Sequence, residues 1–266
     1  MGELDTKRYW ESRLGAHMDF RGVGDIGLPV SYNRCLYRVR RQAFRRAVAD
    51  LLPDWSRATV LDAGSGTGFY VERWLELGVR DLTGSDLTDV AVAALGRRFP
   101  DQGFLSLNLA APLPETLAGR RFDVVSCLDV LFHIIDDPGY RQALDNFARL
   151  VRPGGWLVIS DNLRPHQEQR LTHQVSRTES RILAMLEQAG FVPRRRRAMF
   201  VLMNDPTRSR SRLLHALFSR IYRWSARGEA WGAVIGHLLL PLELLLIRLV
   251  APGPSTEILV LERRND

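Results

Sequence analysis

Two hydrophobic periods alternate along this chain and outline its elements. Between 34 and 52, Leu36, Val39, Ala43, Ala47 and Leu51 recur at helical steps, predicting a long helix closed by Pro53. The arginines of that stretch fall on the opposite face. Short apolar runs ending in polar or turn residues predict strands at 59–61, 81–86, 103–108, 121–127 and 156–160. Amphipathic runs between and after them predict helices at 70–77, 90–99, 139–150 and 176–189, the last stopped by Gly190. Strand alternating with helix predicts a parallel sheet covered on both faces. Two further strands are expected, Ala198 to Met203 and Glu257 to Glu262.

The pattern is irregular at both ends of this core. Asp5 to Leu14 reads as a short helix carrying Tyr9 and Trp10, followed by a glycine-rich loop at 15–27 containing His17, Arg21 and Asp25. The aromatics Tyr9, Trp10, Tyr32 and Tyr37 are read either as packing or as a lid over a site. Residues 206–256 form an insertion of about fifty residues, far longer than a hairpin loop. Within it, 209–227 and 229–250 have helical patterns. The second is very apolar from Leu238 to Ile247, yet His237, Pro241, Glu243 and Arg248 break it as a membrane span. Three readings are ranked in order: a cap over an acceptor site, a dimer interface, and an interfacial helix against a bilayer.

At 266 residues, 45% hydrophobic and 25% charged, the chain can bury a full core as one large domain with appended segments. Expected boundaries are an N-terminal lid at 1–53, a core at 54–205, the insertion at 206–256 and a last core strand at 257–266. Cys35 and Cys127 supply neither a disulfide framework nor paired metal-ligand spacing, and the first ten residues are polar, so a cytoplasmic location is expected. The formal charge of +7 invites a nucleic-acid partner. Its arginines are scattered over separate segments, as on solvated helix faces, so no nucleic-acid partner is expected.

Candidate chemistry centres on Val60-Leu61-Asp62-Ala63-Gly64-Ser65-Gly66-Thr67-Gly68. A dinucleotide fingerprint would need glycine at 69, where Phe69 stands. A strand ending in Asp and running into G-x-G-x-G resembles motif I of the class I S-adenosylmethionine-dependent methyltransferases. Asp86 lies about twenty residues beyond Gly66, the distance at which this fold places a carboxylate on ribose hydroxyls. It is also read as a helix cap. Asn108 before Leu109 resembles the family's adenine-binding position, where Asp is usual. Cys127 resembles the backbone site facing the cofactor's amino group, and Leu150-Val151-Arg152-Pro153-Gly154-Gly155 the family's string before its fifth strand. The resemblance implies a doubly wound α/β, Rossmann-like sheet of seven strands. It further implies S-adenosylmethionine held by Asp62, Gly64, Ser65, Gly66 and Gly68, together with Asp86, Leu87, Asn108, Leu109 and Cys127.

Methyl transfer to oxygen benefits from a base, and His133 or His173 is the candidate, with His166 beside them. The resemblance implies a small acceptor, which a greasy insertion would make apolar and natural-product-like, as in secondary metabolism. Three alternatives remain: a peripheral membrane enzyme acting on a lipid or quinone precursor, a Mg²⁺-dependent catechol-type O-methyltransferase using Asp129, Asp161 and Asn162, and a cofactor-binding scaffold without catalysis. No metal is assigned, and Asp161 is otherwise read as a loop cap.

Overall fold

Val60 and Leu61 point to opposite faces of a central strand, and each meets its own hydrophobic layer. The computed structural model describes residues 6–265; residues 1–5 of the expected lid, including Asp5, and Asp266 lie outside them. The chain opens with helices α1 (Thr6–Ala16), α2 (Phe20–Val23) and α3 (Val30–Val48). It then alternates β1 (Thr59–Ala63), α4 (Phe69–Glu76), β2 (Asp81–Asp86), α5 (Asp89–Arg98), β3 (Gly103–Ser106), β4 (Phe122–Cys127), α6 (Asp137–Leu150) and β5 (Val151–Asp161). A ribbon of β6 (Gln169–Arg170) and β7 (Val175–Ser176) precedes α7 (Glu179–Gln188) and β8 (Phe191–Ala198). Helices α8 (Arg212–Ser225) and α9 (Glu229–Leu249) lead to β9 (Glu257–Arg263).

Seven strands form one sheet in the order β3-β2-β1-β4-β5-β9-β8. The first five positions are parallel, and β9 runs antiparallel between β5 and β8. Alternate residues feed the two layers: Val60, Val124, Val158 and Val260 meet α3 and α4, whereas Leu61, Val125, Leu157 and Leu261 meet α6 and α7. Fully burying a side chain of this size contributes about 1.5–3 kcal/mol. This is the expected doubly wound architecture, and it gathers the carboxyl ends of β1, β2 and β4 along one edge.

Two expected elements shift. The long helix runs from Val30 to Val48 rather than 34–52, with Ala49 as its C-cap. The strand expected at Ala198 to Met203 instead occupies Phe191–Ala198, through the arginine run. That run is tolerated because its arginines leave the strand towards acids: Arg194 to Glu262, Arg195 to Asp50, and Arg196 to Glu179 and Glu257. Met199 to Met203 is apolar because it is buried under α9, where the N–H groups of Val201, Leu202 and Met203 donate to the Glu243 carboxylate. The charged residue that interrupts the apolar helix is therefore its tether to the core.

The insertion divides its work. Helix α9 lies along α3, where Gly236 allows a close approach: a Cβ there would stand 3.0 Å from Cys35 Sγ. The inner face of α8 turns Phe218 and Tyr222 towards the carboxyl edge of the sheet.

Candidate active site

Strand β1 runs into a turn in which Gly64, Gly66 and Gly68 have φ of +79°, +52° and +83°, the left-handed region that side chains disfavour. The turn is stapled to the end of β2. Gly64 and Ser65 both donate N–H to Ser85 O at 2.8 Å, and Gly66 N–H donates to Asp86 Oδ2 at 2.8 Å. Asp86 Oδ1 accepts from the Thr88 N–H and hydroxyl, so Asp86 also organises the start of α5. The N-cap of α5 is Thr88 rather than Asp86; Asp86 braces the turn and stands on the wall of the cavity below.

Beneath the turn lies Asp62, fully buried. Its Oδ1 accepts from the Ser126 hydroxyl at 2.6 Å, while Oδ2 is buried without a partner. Burial pushes its carboxyl up to about 6. An orphaned carboxylate oxygen under a glycine-rich turn fits a ligand that brings positive charge and needs close backbone approach.

A cavity of about 910 Å³ opens over this turn. Gly64, Ser65, Gly66, Asp86, Leu87, Asn108 and Leu109 line one side of it. Tyr9, Trp10, His133, His173, Phe218 and Tyr222 line the rest. Asn108 Oδ1 accepts the Ala110 N–H at 3.0 Å, which fixes its amide at the wall. Three expected cofactor residues stand behind the wall. Asp62 acts from below, Gly68 caps α4 against Leu95 and Phe99, and Cys127 is a buried strand residue whose thiol burial pushes well up.

The two candidate bases meet at the far side. His133 Nδ1–H donates to the His173 carbonyl at 2.9 Å, which leaves Nε2 with its lone pair. Trp10 packs edge-on against His133 at 4.9 Å, and His173 stacks on Tyr9 at 6.0 Å. Burial pushes His133 down to about 4, so its ring is neutral near pH 7. His166 is exposed and away from this wall. The N-terminal aromatics accordingly pack and line the cavity at once.

Sequence reasoning missed Arg40. It was placed with the surface arginines, yet its guanidinium is held between the rings of Tyr37 and Phe200, at 4.9 and 5.0 Å. Nε donates to Asp129 Oδ2 at 2.9 Å, and the Tyr70 hydroxyl donates to the same oxygen. The signal was available: Arg40 lies four residues after Leu36 and three before Ala43, inside the buried stripe. The same pair bears on the magnesium reading. Asp129 is taken by Arg40, Asp161 Oδ2 by the Tyr140 hydroxyl at 2.8 Å, and Asn162 by Thr256 and Ser176. Among the described residues no group of three His, Cys, Asp or Glu side chains is placed to hold a metal ion. These donors do not form a magnesium set.

Comparison with known proteins agrees with this geometry. Residues 36–195 match the methyltransferase domain family, and the chain belongs to that family. Its fold is that of the class I S-adenosylmethionine-dependent methyltransferases, and S-adenosylmethionine is the cofactor. The chain is similar to the ubiquinone biosynthesis O-methyltransferase of Paraburkholderia phymatum, 34% identical over 104 residues, which are 38% of this chain and 43% of that protein. The match therefore spans less than half the length of that relative. The fold is shared with magnesium protoporphyrin IX methyltransferase of Synechocystis, at a TM-score of 0.57 and 19% identity over 99% of each chain. It is shared too with the cyclase SpnF, at a TM-score of 0.54 and 18% identity over 85% of this chain and 81% of that one. Fold alone thus leaves the reaction open.

Proposed function

We propose that this chain methylates a hydroxyl of a small, apolar acceptor, with S-adenosylmethionine over the glycine turn. The observation that carries the reading is one continuous cavity with the turn and Asp86 on one side and His133, Trp10 and Phe218 on the other. Its 910 Å³ lies at the upper end of the roughly 300–1,000 Å³ usual for one drug-sized ligand, which leaves room beyond a nucleoside. The partial match to O-methyltransferases supports oxygen as the attacked atom.

When bound, the cofactor supplies an electrophilic methyl group on a sulfonium. The chain does the positioning. Asp86 accepts from ribose hydroxyls, its Oδ2 already oriented by Gly66. Asn108 and Leu109 flank the base. Arg40, fixed by Asp129, offers its remaining N–H groups to the methionine carboxylate. Asp62 counters the positive charge from beneath. Aromatic walls exclude water and align the acceptor, the larger part of catalysis for an in-line displacement. His133 Nε2 accepts the acceptor's hydroxyl proton, its ring held in one tautomer by His173.

The test is incubation of the chain with methyl-labelled S-adenosylmethionine and a panel of hydroxylated aromatic and polyprenyl acceptors, read by mass spectrometry. The expected result is a labelled O-methyl product with stoichiometric S-adenosylhomocysteine. Calorimetric uptake of S-adenosylhomocysteine with no transfer to any acceptor would instead leave a binding scaffold.

A further inference from the structure

Trp231, Val234, Leu238, Leu242, Leu245 and Leu249 follow one another at three- and four-residue steps, and all are 45–75% exposed. They form a single apolar ridge along the solvent side of α9, whose 21 residues span about 31 Å. The opposite ridge, Gly232, Gly236, Glu243 and Ile247, is buried against the body of the protein. Helix α8 widens the exposed patch with Leu213, Leu217 and Trp224, and the rings of Trp224 and Trp231 stand 5.2 Å apart, joining the helices. Ridges of this extent on a folded chain mark a surface that is covered in use.

Charge says by what. Residues 206–256 hold seven arginines and two acids. Both acids are engaged within the protein: Glu243 is buried and accepts from the N–H groups of Val201, Leu202 and Met203, and Glu229, exposed at the start of α9, accepts from those of Val30 and Ser31. Around the leucines, Arg220, Arg223, Arg227 and Arg248 remain exposed, and Arg227 lies over Trp224 at 3.6 Å. Two copies meeting through this patch would oppose arginine to arginine with no acid of the insertion to answer them. Leucine, tryptophan and arginine on one helix face is the composition of an interfacial helix on anionic lipid.

We infer that the outer face of α8 and α9 docks on the surface of an anionic lipid bilayer. Helix α9 is long and apolar enough to cross a membrane. Crossing would strip the Glu243 carboxylate from three buried amides, whereas lying in the interface leaves that tether intact. The cavity lies against the opposite face of α8. Phe218 and Tyr222, on the inner face of α8, line it, and the Tyr222 hydroxyl donates to Asp25 beside the exposed rim residue Ile26. Docking through the outer face would hold the cavity one helix away from the lipid, where an apolar acceptor would be dissolved.

Vesicle binding needs no turnover, so the inference stands apart from the methyl-transfer reading. The full chain is sedimented with phosphatidylcholine vesicles, with and without added phosphatidylglycerol, at low and high salt. It is expected to pellet with the anionic vesicles and to release at high salt, with affinity falling roughly fivefold for each of Arg220, Arg223 and Arg227 changed to Gln. The triple variant Leu238→Ser, Leu242→Ser, Leu245→Ser is expected to stay in the supernatant while its S-adenosylhomocysteine affinity is unchanged, since all three side chains face solvent. The inference is overturned if the parent chain ignores anionic vesicles, or if the triple variant pellets as well as the parent. It is equally overturned if sedimentation velocity shows a dimer that the leucine changes dissolve, without vesicle binding. Vesicle binding by a chain that takes up no S-adenosylhomocysteine would sink the cofactor reading and leave this one standing.

Discussion

Arg40 and Asp129, 89 residues apart in the chain, meet through one Nε–H···Oδ2 bond at 2.9 Å on the cavity wall. Asp129 holds φ of +61°, a conformation its short polar side chain tolerates, with its own N–H bonded to the Ser160 hydroxyl. The bond therefore ties the N-terminal helix α3 to the loop after β4. Arg40→Met should cost about 2–4 kcal/mol, because it strands a part-buried carboxylate. Asp129→Asn should cost a similar amount, and the double variant less than the sum. Urea unfolding of the four proteins measures that coupling; strict additivity would show that the pair is incidental.

Asp86 braces the turn and faces the ligand at once, so the conservative change is the informative one. Asp86→Asn keeps an acceptor for Gly66 or Thr88 but removes the charge. S-adenosylhomocysteine affinity should fall about tenfold to a hundredfold, and the melting temperature should drop as well, because the amide cannot accept from both Gly66 and Thr88. Calorimetry and thermal unfolding on the same samples separate the two. A large melting change with intact affinity would assign Asp86 to the fold alone.

His133 makes a prediction about acid. Its pKa falls from 6.5 to about 4 on folding, so the unfolded chain binds the extra proton and stability is lost as pH drops from 6.5 towards 4. His133→Gln lacks that loss. The gap in stability between parent and variant should therefore narrow through this window, by roughly 1–2 kcal/mol, since the ring edge borders the cavity. Asp62 and Asp161, raised from 3.8 to about 6, act in the opposite sense. They favour the folded state as pH falls through 6, equally in both proteins, and cancel in the difference. For methyl transfer, the acid limb should lack the usual inflection near 6.5 and break near 4. A rate that halves at pH 6.5 would remove His133 as the base.

Glu243 ties α9 by hydrogen bonds to the segment after β8. Glu243→Leu leaves three buried amides without acceptors and should cost about 3 kcal/mol or more, whereas Glu243→Gln should cost about half as much. Hydrogen exchange at Val201, Leu202 and Met203 reports it directly: protection should vanish in the leucine variant. Unchanged protection would mean that these amides are held by something other than the carboxylate.

How far the fold was legible follows from which signals are local. The alternation of strands and helices, the turn from Gly64 to Gly68 and the placement of Asp86 are written in spacing and glycine chemistry, and the structure reproduces them. Arg40 and the arginines of β8 were read as solvent-facing because they are charged. Their partners, Asp129, Asp50, Glu179 and Glu257, are distant in sequence and become neighbours only through the sheet order. Met199 to Met203 resembled a strand because burial and strand pairing leave the same apolar trace over five residues. The division of the insertion, one helix walling the cavity and the other presenting leucines outward, depends on which face meets α3. Side-chain periodicity cannot show that on a helix apolar all round.

The position of β9 has a consequence for how the molecule comes together. Both β5 and β8 pair with it, yet it emerges only after the whole helical insertion has been made. Until then two open edges confront each other across a vacant lane, the arrangement most prone to recruiting a foreign strand. The arginine run of β8 puts charge along one of those edges, the kind of residue that discourages a foreign strand from pairing there.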